Sequence, residues 1–310
     1  MSKSILITGV AGFLGSHLCD LFLNEKFKVF GIDNLITGKK SNINHHNYNS
    51  KFKFINQDVC NEITIKEKID YILHFASPAS PFDYLKYPIE TLRTGSLGTE
   101  NILKFAKKNK SIVLVASTSE IYGDPIQHPQ TELYFGNVNP IGPRGVYDEA
   151  KRYLEAISSA YIRKEKIDIK IARIFNTYGP RMRKNDGRAI PTFINQSLNK
   201  NNYTVFGNGN QTRSFCHVKD TILGIKKLLF SNYNKPVNIG NPEEYNILEL
   251  IKLIDNIVGY KTKINFKSLP ENDPKKRKPC IKLAKKILNW EPKVTLREGL
   301  VSTINFYKNA

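Results

Sequence analysis

Short apolar runs alternate with amphipathic segments over the first 175 residues of the chain. In the segment 12–25, Leu14, Leu18, Leu21 and Phe22 recur at helical spacing, directly after the apolar run SILITG. The same reading predicts strands at 4–9, 28–33, 52–58, 70–76, 111–117 and 168–175, and helices at 12–25, about 89–109 and about 146–164. Strands rich in Ile and Val, separated by helices, indicate a parallel sheet that is covered on both faces.

The pattern changes at about residue 176, where polar, loop-like segments begin. We predict an α/β protein with a Rossmann-like doubly wound parallel sheet and a smaller C-terminal substrate-binding lobe. The sheet domain is assigned 1–175 plus about 214–240, and the lobe 176–213 and 241–310. The lobe is expected to close over the carboxyl ends of the strands, where ligands bind in such folds. Further elements are predicted as a helix at 189–199, strands at 203–207 and 236–240, and an amphipathic helix at 246–259.

Composition excludes several classes of protein. The 310 residues are 40% hydrophobic, which indicates a globular chain, and no apolar run approaches the ~20 residues of a membrane span. No leader pattern precedes the first strand, so we expect a cytoplasmic protein. The net charge of +19 comes from lysines spread along the chain, which favours an anionic small substrate over nucleic acid.

Cysteines and histidines give no metal motif. The four cysteines are far apart without a CxxC pair, so four free thiols in a reducing compartment are expected. His45 and His46 lie in an Asn-rich stretch, which is more typical of a solvated loop than of a metal site. We predict no metal.

The stretch GVAGFLG is the first motif with chemical content. Gly9, Gly12 and Gly15 follow a strand and open a helix, which permits a tight turn and close approach of a pyrophosphate to the helix N-terminus. Asp33 ends the second strand, where a carboxylate accepts from the ribose hydroxyls of adenosine and repels a 2′-phosphate. The motif therefore predicts NAD rather than NADP. Asp58, closing the third strand, is either part of the adenine site or an ordinary turn residue.

The second motif is YDEAK, which places Tyr147 and Lys151 on one face of a helix. A tyrosine with the usual pKa of about 10 is a poor base at neutral pH, and a neighbouring ammonium favours its phenolate. The pair follows the stretch STSEIYG by about 30 residues. There Thr118 and Glu120 come directly after an apolar strand.

Together, GxxGxxG, STSEIYG and YxxxK resemble the extended short-chain dehydrogenase/reductase family of nucleotide-sugar enzymes. Segments such as SPASPFDY, ARIFNTYGPRM, GNGNQTRSF and LNWEPKVTLREGL carry the resemblance nearly end to end, to the branch that decarboxylates UDP-glucuronate. It implies Thr118, Tyr147 and Lys151 as the hydride-transfer core and Glu120 and Arg277 as decarboxylation residues. Lys275 and Lys276, beside Arg277, are interpreted as solvated.

The resemblance also implies which residues bind each ligand. For NAD these are Gly9, Gly12, Phe13, Leu14, Gly15, Asp33, Asn34, Thr37, Gly38, Asp58, Val59, Ala76, Thr94, Tyr147, Lys151, Thr177 and Arg183. For UDP-glucuronate they are Arg93, Asn101, Lys107, Thr118, Glu120, Tyr147, Asn176, Arg188, Arg213 and Arg277, with Arg181 as a further phosphate candidate. Family members tend to dimerise through helices such as 89–109 and 146–164, so a homodimer is expected.

The single acid at 120 distinguishes the related reactions. The resembling 4,6-dehydratases have an Asp–Glu pair where this chain has Ser119 and Glu120, and 4-epimerases generally lack the acid. The expected reaction is decarboxylation of UDP-glucuronate to UDP-xylose through a 4-keto intermediate, with NAD recycled internally. Alternatives are a 4-epimerase, a decarboxylase that releases the 4-keto pentose, or a non-catalytic nucleotide or RNA binder. One departure is Gly95, where the family often has Asn, and we expect backbone or water to fill that role.

Overall fold

The computed structural model describes residues 2–268 and 276–309. Its strands are β1 Ser4–Thr8, β2 Lys28–Asp33, β3 Phe52–Asn56, β4 Tyr71–His74, β5 Ile112–Thr118, β6 Ile169–Ile174, β7 Thr177–Tyr178, β8 Tyr203–Phe206, β9 Thr212–Ser214, β10 Cys216–His217, β11 Pro236–Ile239, β12 Glu244–Asn246, β13 Ile264–Lys267 and β14 Lys276–Arg277. Its α-helices are α1 Phe13–Asn24, α2 Pro81–Lys86, α3 Pro88–Arg93, α4 Thr99–Asn109, α5 Gly145–Glu165, α6 Ala189–Leu198, α7 Val218–Leu229, α8 Ile247–Val258, α9 Lys282–Leu288 and α10 Leu296–Asn309.

Seven strands form the central sheet in the order β11-β6-β5-β4-β1-β2-β3, and every pair in it is parallel. One buried apolar cluster includes residues of α1, α7 and α9, and a second includes residues of α4 and α5. Helices therefore cover both faces, as parallel strands with continuous apolar runs require. The predicted α/β doubly wound fold is confirmed.

A third apolar cluster lies outside the sheet and draws on α6, α8 and α10 with Tyr178, Tyr203 and Phe215. Beside it, three short strands pair in the order β12-β9-β14. The pairing of β9 with β14 places Arg277 opposite Arg213. The smaller lobe thus brings together two arginines that are 64 positions apart in the sequence. In the described part of the chain, no helix has the length and apolar character needed to cross a membrane.

The predicted continuous helix at 89–109 is wrong. It is divided into α3 and α4 by a π-helical turn, Thr94–Gly98, which packs on α5. A side-chain carbon at Gly95 would lie 2.8 Å from both the side chain and the carbonyl oxygen of Ala150. Close approach of the two helices therefore excludes a side chain at Gly95, which explains why no Asn is found there. The sequence pattern also missed α2, α7, α9 and α10.

Candidate active site

A cavity of about 700 Å³ lies at the carboxyl ends of the sheet strands, between the sheet and the smaller lobe. It is lined by every predicted site residue except Arg93, Asn101 and Lys107. The glycine turn and Asp33 line the same cavity as Tyr147, Glu120 and Arg277. A cofactor and a sugar nucleotide could therefore meet in one space.

The structure does not bring Arg93, Asn101 and Lys107 to this cavity. Asn101 donates to the backbone oxygens of Val59 and Asn61. Lys107 pairs with Glu165 at 2.6 Å. Both residues lie on α4, and Arg93 is exposed at the end of α3. The prediction that they contact the sugar is corrected, because it treated residues near one helix as if they shared its inner face.

The glycine turn packs closely against neighbouring backbone. Gly9 has φ of 71°, and a side-chain carbon at Gly15 would lie only 2.0 Å from the Gly9 carbonyl oxygen. These two positions therefore require glycine. The turn leads into the N-terminus of α1, whose unpaired N–H groups favour an anion. This backbone fits the pyrophosphate of a dinucleotide.

Asp33 is held in place by the backbone of that turn. Its Oδ2 accepts from the Ala11 N–H at 2.9 Å and its Oδ1 from the Leu35 N–H at 2.8 Å. Burial raises the pKa of Asp33, and these two hydrogen bonds oppose the rise. A side chain at Gly38 would collide with both carboxylate oxygens at 2.9 Å, so Gly38 keeps this side of the acid open. The arrangement fits an adenosine ribose.

Tyr147 and Lys151 lie on α5 and are both buried, as the YxxxK spacing predicts. Lys151 Nζ lies 5.6 Å from the centre of the Tyr147 ring and donates to the Ala116 oxygen at 2.9 Å. Burial lowers the pKa of Lys151 to about 8. Burial and the charge of Glu120 raise the pKa of Tyr147, whereas its hydrogen bond with Thr118 lowers it. In the chain alone the phenol is therefore neutral, and its activation requires additional positive charge.

Thr118 and Ser117, two of the three hydroxyls of STS, have different surroundings. Thr118 Oγ1 accepts from the Glu120 N–H at 3.2 Å and so caps the short 3₁₀ helix Ser119–Tyr122. Ser117 instead donates to Glu155 at 2.5 Å, which in turn pairs with Arg173 at 2.8 Å. Both residues line the cavity, but the Ser117 hydroxyl is bonded to the Glu155–Arg173 pair, whereas Thr118 caps the helix that carries Glu120.

Glu120 lies between two guanidinium groups. Its Oε2 accepts from Arg144 at 2.5 Å, and its Oε1 accepts from Arg277. Arg277 also donates to the Gly123 oxygen at 2.9 Å. Burial alone would raise the pKa of Glu120, but Arg277 and Arg144 outweigh it and lower this pKa to about 2. Glu120 is therefore ionised, and the cluster keeps excess positive charge for an anionic ligand.

Sequence reasoning missed two residues of this cluster, Arg144 and Asp148. Arg144 directly precedes α5, three residues before Tyr147, and Asp148 lies inside the YxxxK motif, directly after Tyr147. Asp148 is buried, and its Oδ1 has no hydrogen-bond partner among the described residues. A charged residue on each side of Tyr147 was the available signal. Its meaning depends on Glu120 and Arg277, which are brought there only by folding.

The predicted phosphate ligands line the cavity on the lobe side. Arg188 is fixed by Asp186, with donor–acceptor distances of 2.5 and 2.8 Å, and Arg213 Nη1 donates to the Thr212 oxygen at 2.9 Å. Arg188, Arg213 and Asn176 have donor groups that suit a diphosphate. Arg183, which was predicted to contact NAD, also lines the cavity and donates to Asp83 and to Ser80 at the start of α2.

Arg181 also lines the cavity but pairs with Asp20 at 2.6 Å. His45 and His46 bond to the same carboxylate at 2.8 and 2.6 Å. The predicted solvated loop is therefore a short hydrogen-bonded turn. The ligand atoms of Asp20, His45 and His46 lie close enough to one another to hold a metal ion. Because Arg181 already supplies positive charge to Asp20, the cluster does not require a cation.

Residues 5–247 match the model of the NAD dependent epimerase/dehydratase family, so the chain belongs to that family, as its motifs predicted. Among the curated relatives, "UDP-glucuronic acid decarboxylase 1" of Xenopus tropicalis is 48% identical over 306 residues, covering 99% of this chain and 72% of the relative. "UDP-glucuronic acid decarboxylase 6" of Arabidopsis thaliana is 47% identical, covering 96% of this chain and 86% of the relative.

A solved structure gives a ligand-bound comparison. The UDP-glucuronic acid 4-epimerase from Bacillus cereus, in complex with UDP-glucuronic acid and NAD, is 31% identical with a TM-score of 0.88. The alignment covers 99% of this chain and 99% of that chain. The same overall fold therefore holds UDP-glucuronic acid and NAD in a relative with a different reaction.

Proposed function

We propose that this protein decarboxylates UDP-glucuronate to UDP-xylose and uses NAD that is regenerated within each turnover. The observation that carries the proposal is the Glu120–Arg144–Arg277 cluster at the same cavity as Tyr147 and Thr118. Relatives named UDP-glucuronic acid decarboxylase, at 47–48% identity, support the same reaction. An epimerase acts only at C4, whereas a decarboxylase must also handle the carboxylate on C5.

Bound NAD would supply a hydride acceptor at C4. The residues that would hold it are the glycine turn and Asp33, with Lys151 at the nicotinamide ribose. The geometry of that turn supports the assignment, because glycine at positions 9 and 15 permits the tight backbone packing that brings the turn to the N-terminus of α1. The two backbone bonds to Asp33 keep its carboxylate available to ribose hydroxyls rather than to a 2′-phosphate.

Tyr147 would remove the proton from the C4 hydroxyl as C4 is oxidised. The phenol is neutral in the chain alone, so the positive charges of the nicotinamide and Lys151 have to lower its pKa. Thr118, which hydrogen-bonds with Tyr147, would hold the C4 oxygen beside it. Tyr147 and Lys151 lie on the same helix, α5, with Lys151 Nζ 5.6 Å from the centre of the Tyr147 ring. The helix therefore keeps the base and the ammonium at a fixed separation.

The C4 ketone lies β to the C6 carboxylate, so the bond from C5 to C6 breaks with its electron pair entering an enolate. Tyr147 and Thr118 would stabilise the enolate oxygen at C4. The planar guanidinium of Arg277 suits the carboxylate, and Glu120 would hold that guanidinium in place. C5 would then take a proton, and the bound cofactor would supply the hydride at C4 that completes UDP-xylose.

A 4-epimerase is the second candidate, because solved relatives of 31% identity include a UDP-glucuronic acid 4-epimerase. A decarboxylase that releases the 4-keto pentose is a third. Incubation with UDP-glucuronate labelled with ¹³C at C6, without added reductant, separates the first two. We expect label in carbon dioxide and bicarbonate. Label retained in a sugar carboxylate would contradict the proposal, and loss of label with a ketone product would indicate early release.

We propose further that the chain forms a homodimer through α3, α4 and α5. Ile89, Leu92, Leu97 and Tyr153, on α3, the π-helical turn and α5, are between 38% and 62% exposed, which is consistent with a covered face. Light scattering of the purified chain should give twice the monomer mass of 35.4 kDa. A mass of 35.4 kDa at micromolar concentration would contradict the dimer.

A further inference from the structure

A second cavity of about 230 Å³ lies behind the reaction site. Glu120, Arg144 and Arg277 line both this cavity and the main one, so they form the wall between the two. Asp124, Asn137 and Asn139 line its outer side and are exposed to solvent. This volume has room for several water molecules, each of which occupies about 30 Å³ in the liquid. The cavity therefore connects solvent with the rear of Glu120.

Asp148 is the buried acid that lines this second cavity but not the main one. It follows Tyr147 on α5, and successive helical residues point about 100° apart. Tyr147 therefore faces the main cavity while Asp148 faces the second. Only 5% of Asp148 is exposed, and its Oδ1 has no partner among the described residues. An ionised carboxylate in that position would lack hydrogen bonds that it needs.

The charges around Asp148 favour its neutral form. Burial and the anion of Glu120 raise the pKa of Asp148 to about 7, although Arg144 and Arg277 oppose this, and Glu149 adds a smaller repulsion. Tyr84 on α2 also faces this group. With Asp148 neutral, Glu120, Arg144 and Arg277 carry a net charge of +1, which complements a substrate carboxylate.

Decarboxylation consumes one proton in each turnover, because C6 leaves as carbon dioxide and C5 gains hydrogen. We propose, building on the function above, that Asp148 delivers this proton through Glu120 and is reprotonated by solvent through the second cavity. The proton passes from Asp148 to the Glu120 carboxylate and then to C5. Solvent returns one proton to Asp148, so the protein is unchanged. Asp148 is a proton-relay residue and does not itself touch the sugar.

Asp148→Asn tests this proposal, because asparagine keeps the shape and the neutral charge of a protonated aspartate but has no acidic proton. We expect turnover to fall at least ~10-fold, less than the roughly 10²–10⁴-fold of a direct general acid because Asp148 does not touch the sugar, while UDP affinity changes less than about twofold. NADH should accumulate on the enzyme, since oxidation proceeds but hydride return waits for C5. Glu149→Gln is the matched control, one residue along the same helix and half-exposed, and should retain wild-type turnover.

The pH profile gives a readout that a structural role would not change. Wild-type turnover should fall above about pH 7, where Asp148 ionises, and this limb should disappear in Asp148→Asn. Turnover of Asp148→Asn within twofold of wild type, with the same basic limb, would overturn the relay while leaving decarboxylation standing. Wild-type protein that releases no carbon dioxide would overturn both.

A measurement on the wild-type protein without substrate guards against a variant that fails to fold. Infrared spectra between pH 5 and pH 9 should contain the band of a protonated buried carboxylic acid, lost as pH rises through about 7. Specific ¹³C labelling of aspartate carboxyls assigns the band to aspartate rather than glutamate. Absence of a protonated aspartate at pH 6 would contradict the relay, whatever the variant does.

Discussion

The two ends of the main cavity are constructed in different ways. The proposed cofactor end consists mostly of backbone from one short stretch, with Gly9, Gly15 and the Ala11 N–H that fixes Asp33. The reaction end consists of charged side chains, of which Glu120 and Arg277 are 157 positions apart. A site made of backbone does not depend on the chemistry of particular side chains, but it does not tolerate a side chain at its glycine positions. A charge cluster tolerates little change in either geometry or protonation.

Tyr147→Phe should give the largest effect at the reaction end. Loss of the phenol removes the proposed base for C4, so turnover should fall by roughly 10²–10⁴-fold and no NADH signal should form with substrate. Tyr153→Phe, six residues along the same helix and 45% exposed, is the matched control and should act as wild type. Stopped-flow absorbance of NADH checks both. A normal NADH burst in Tyr147→Phe would reject this tyrosine as the base.

Asp33→Ala tests the cofactor end. Removal of the carboxylate should weaken NAD by about 10- to 100-fold, as expected for hydrogen bonds to a charged group, and should narrow the preference over NADP. Binding is measured by fluorescence titration with each dinucleotide. Equal affinity of the wild type for NAD and NADP would show that the carboxylate does not select the cofactor.

Arg277→Lys tests whether the reaction end depends on geometry as well as charge. The guanidinium bonds Glu120 through one nitrogen and the Gly123 oxygen through another, which a lysine ammonium cannot reproduce with the same planar fork. Turnover should fall ~10-fold, about 1.4 kcal/mol, with UDP affinity nearly unchanged.

The neighbouring Lys276→Arg is the control for this change, since Lys276 is exposed beside Arg277. Steady-state kinetics and calorimetry with UDP measure the two quantities separately. Wild-type turnover in Arg277→Lys would show that only positive charge is needed at this position.

Asp148→Asn should also change stability, in addition to the loss of turnover expected above. The raised pKa of Asp148 means that the folded chain retains a proton that the unfolded chain loses, so stability falls as pH rises from about 4 to about 7. The variant should therefore gain roughly 2–3 kcal/mol over wild type between pH 5 and pH 8, at about 1.4 kcal/mol for each pH unit over which only the folded chain keeps the proton. Urea unfolding at both pH values checks this, and a constant difference would contradict the shift.

The same contrast explains what the sequence could predict. The turn, Asp33 and the YxxxK pair are local patterns, so their place in the cavity follows from one strand–helix unit or one helix face. Arg144 and Asp148 gain their roles only when β14 brings Arg277 to Glu120, which no local pattern records. The prediction that Arg93, Asn101 and Lys107 contact the sugar was corrected, because their places in the sequence did not determine which way α3 and α4 face.

The interpretation of Lys275 as a solvated residue stays a prediction, because Lys275 lies outside the described residues.

The π-helical turn at Thr94–Gly98 is another feature that the local sequence pattern could not predict. Its cause is the contact of Gly95 with Ala150, two residues that are distant in sequence, so periodicity alone predicted an uninterrupted helix. Tertiary packing decided the local conformation there. The position of Thr94 at the cavity therefore depends on α5 as much as on its own helix.

Proton NMR of the product from UDP-glucuronate in D₂O tests the central claim most directly, because it reads C4, C5 and C6 together. The account predicts UDP-xylose with one deuterium at C5, the C4 configuration of the substrate and no carboxylate. A product that keeps its carboxylate and has C4 inverted would contradict the account and identify the reaction end as that of an epimerase.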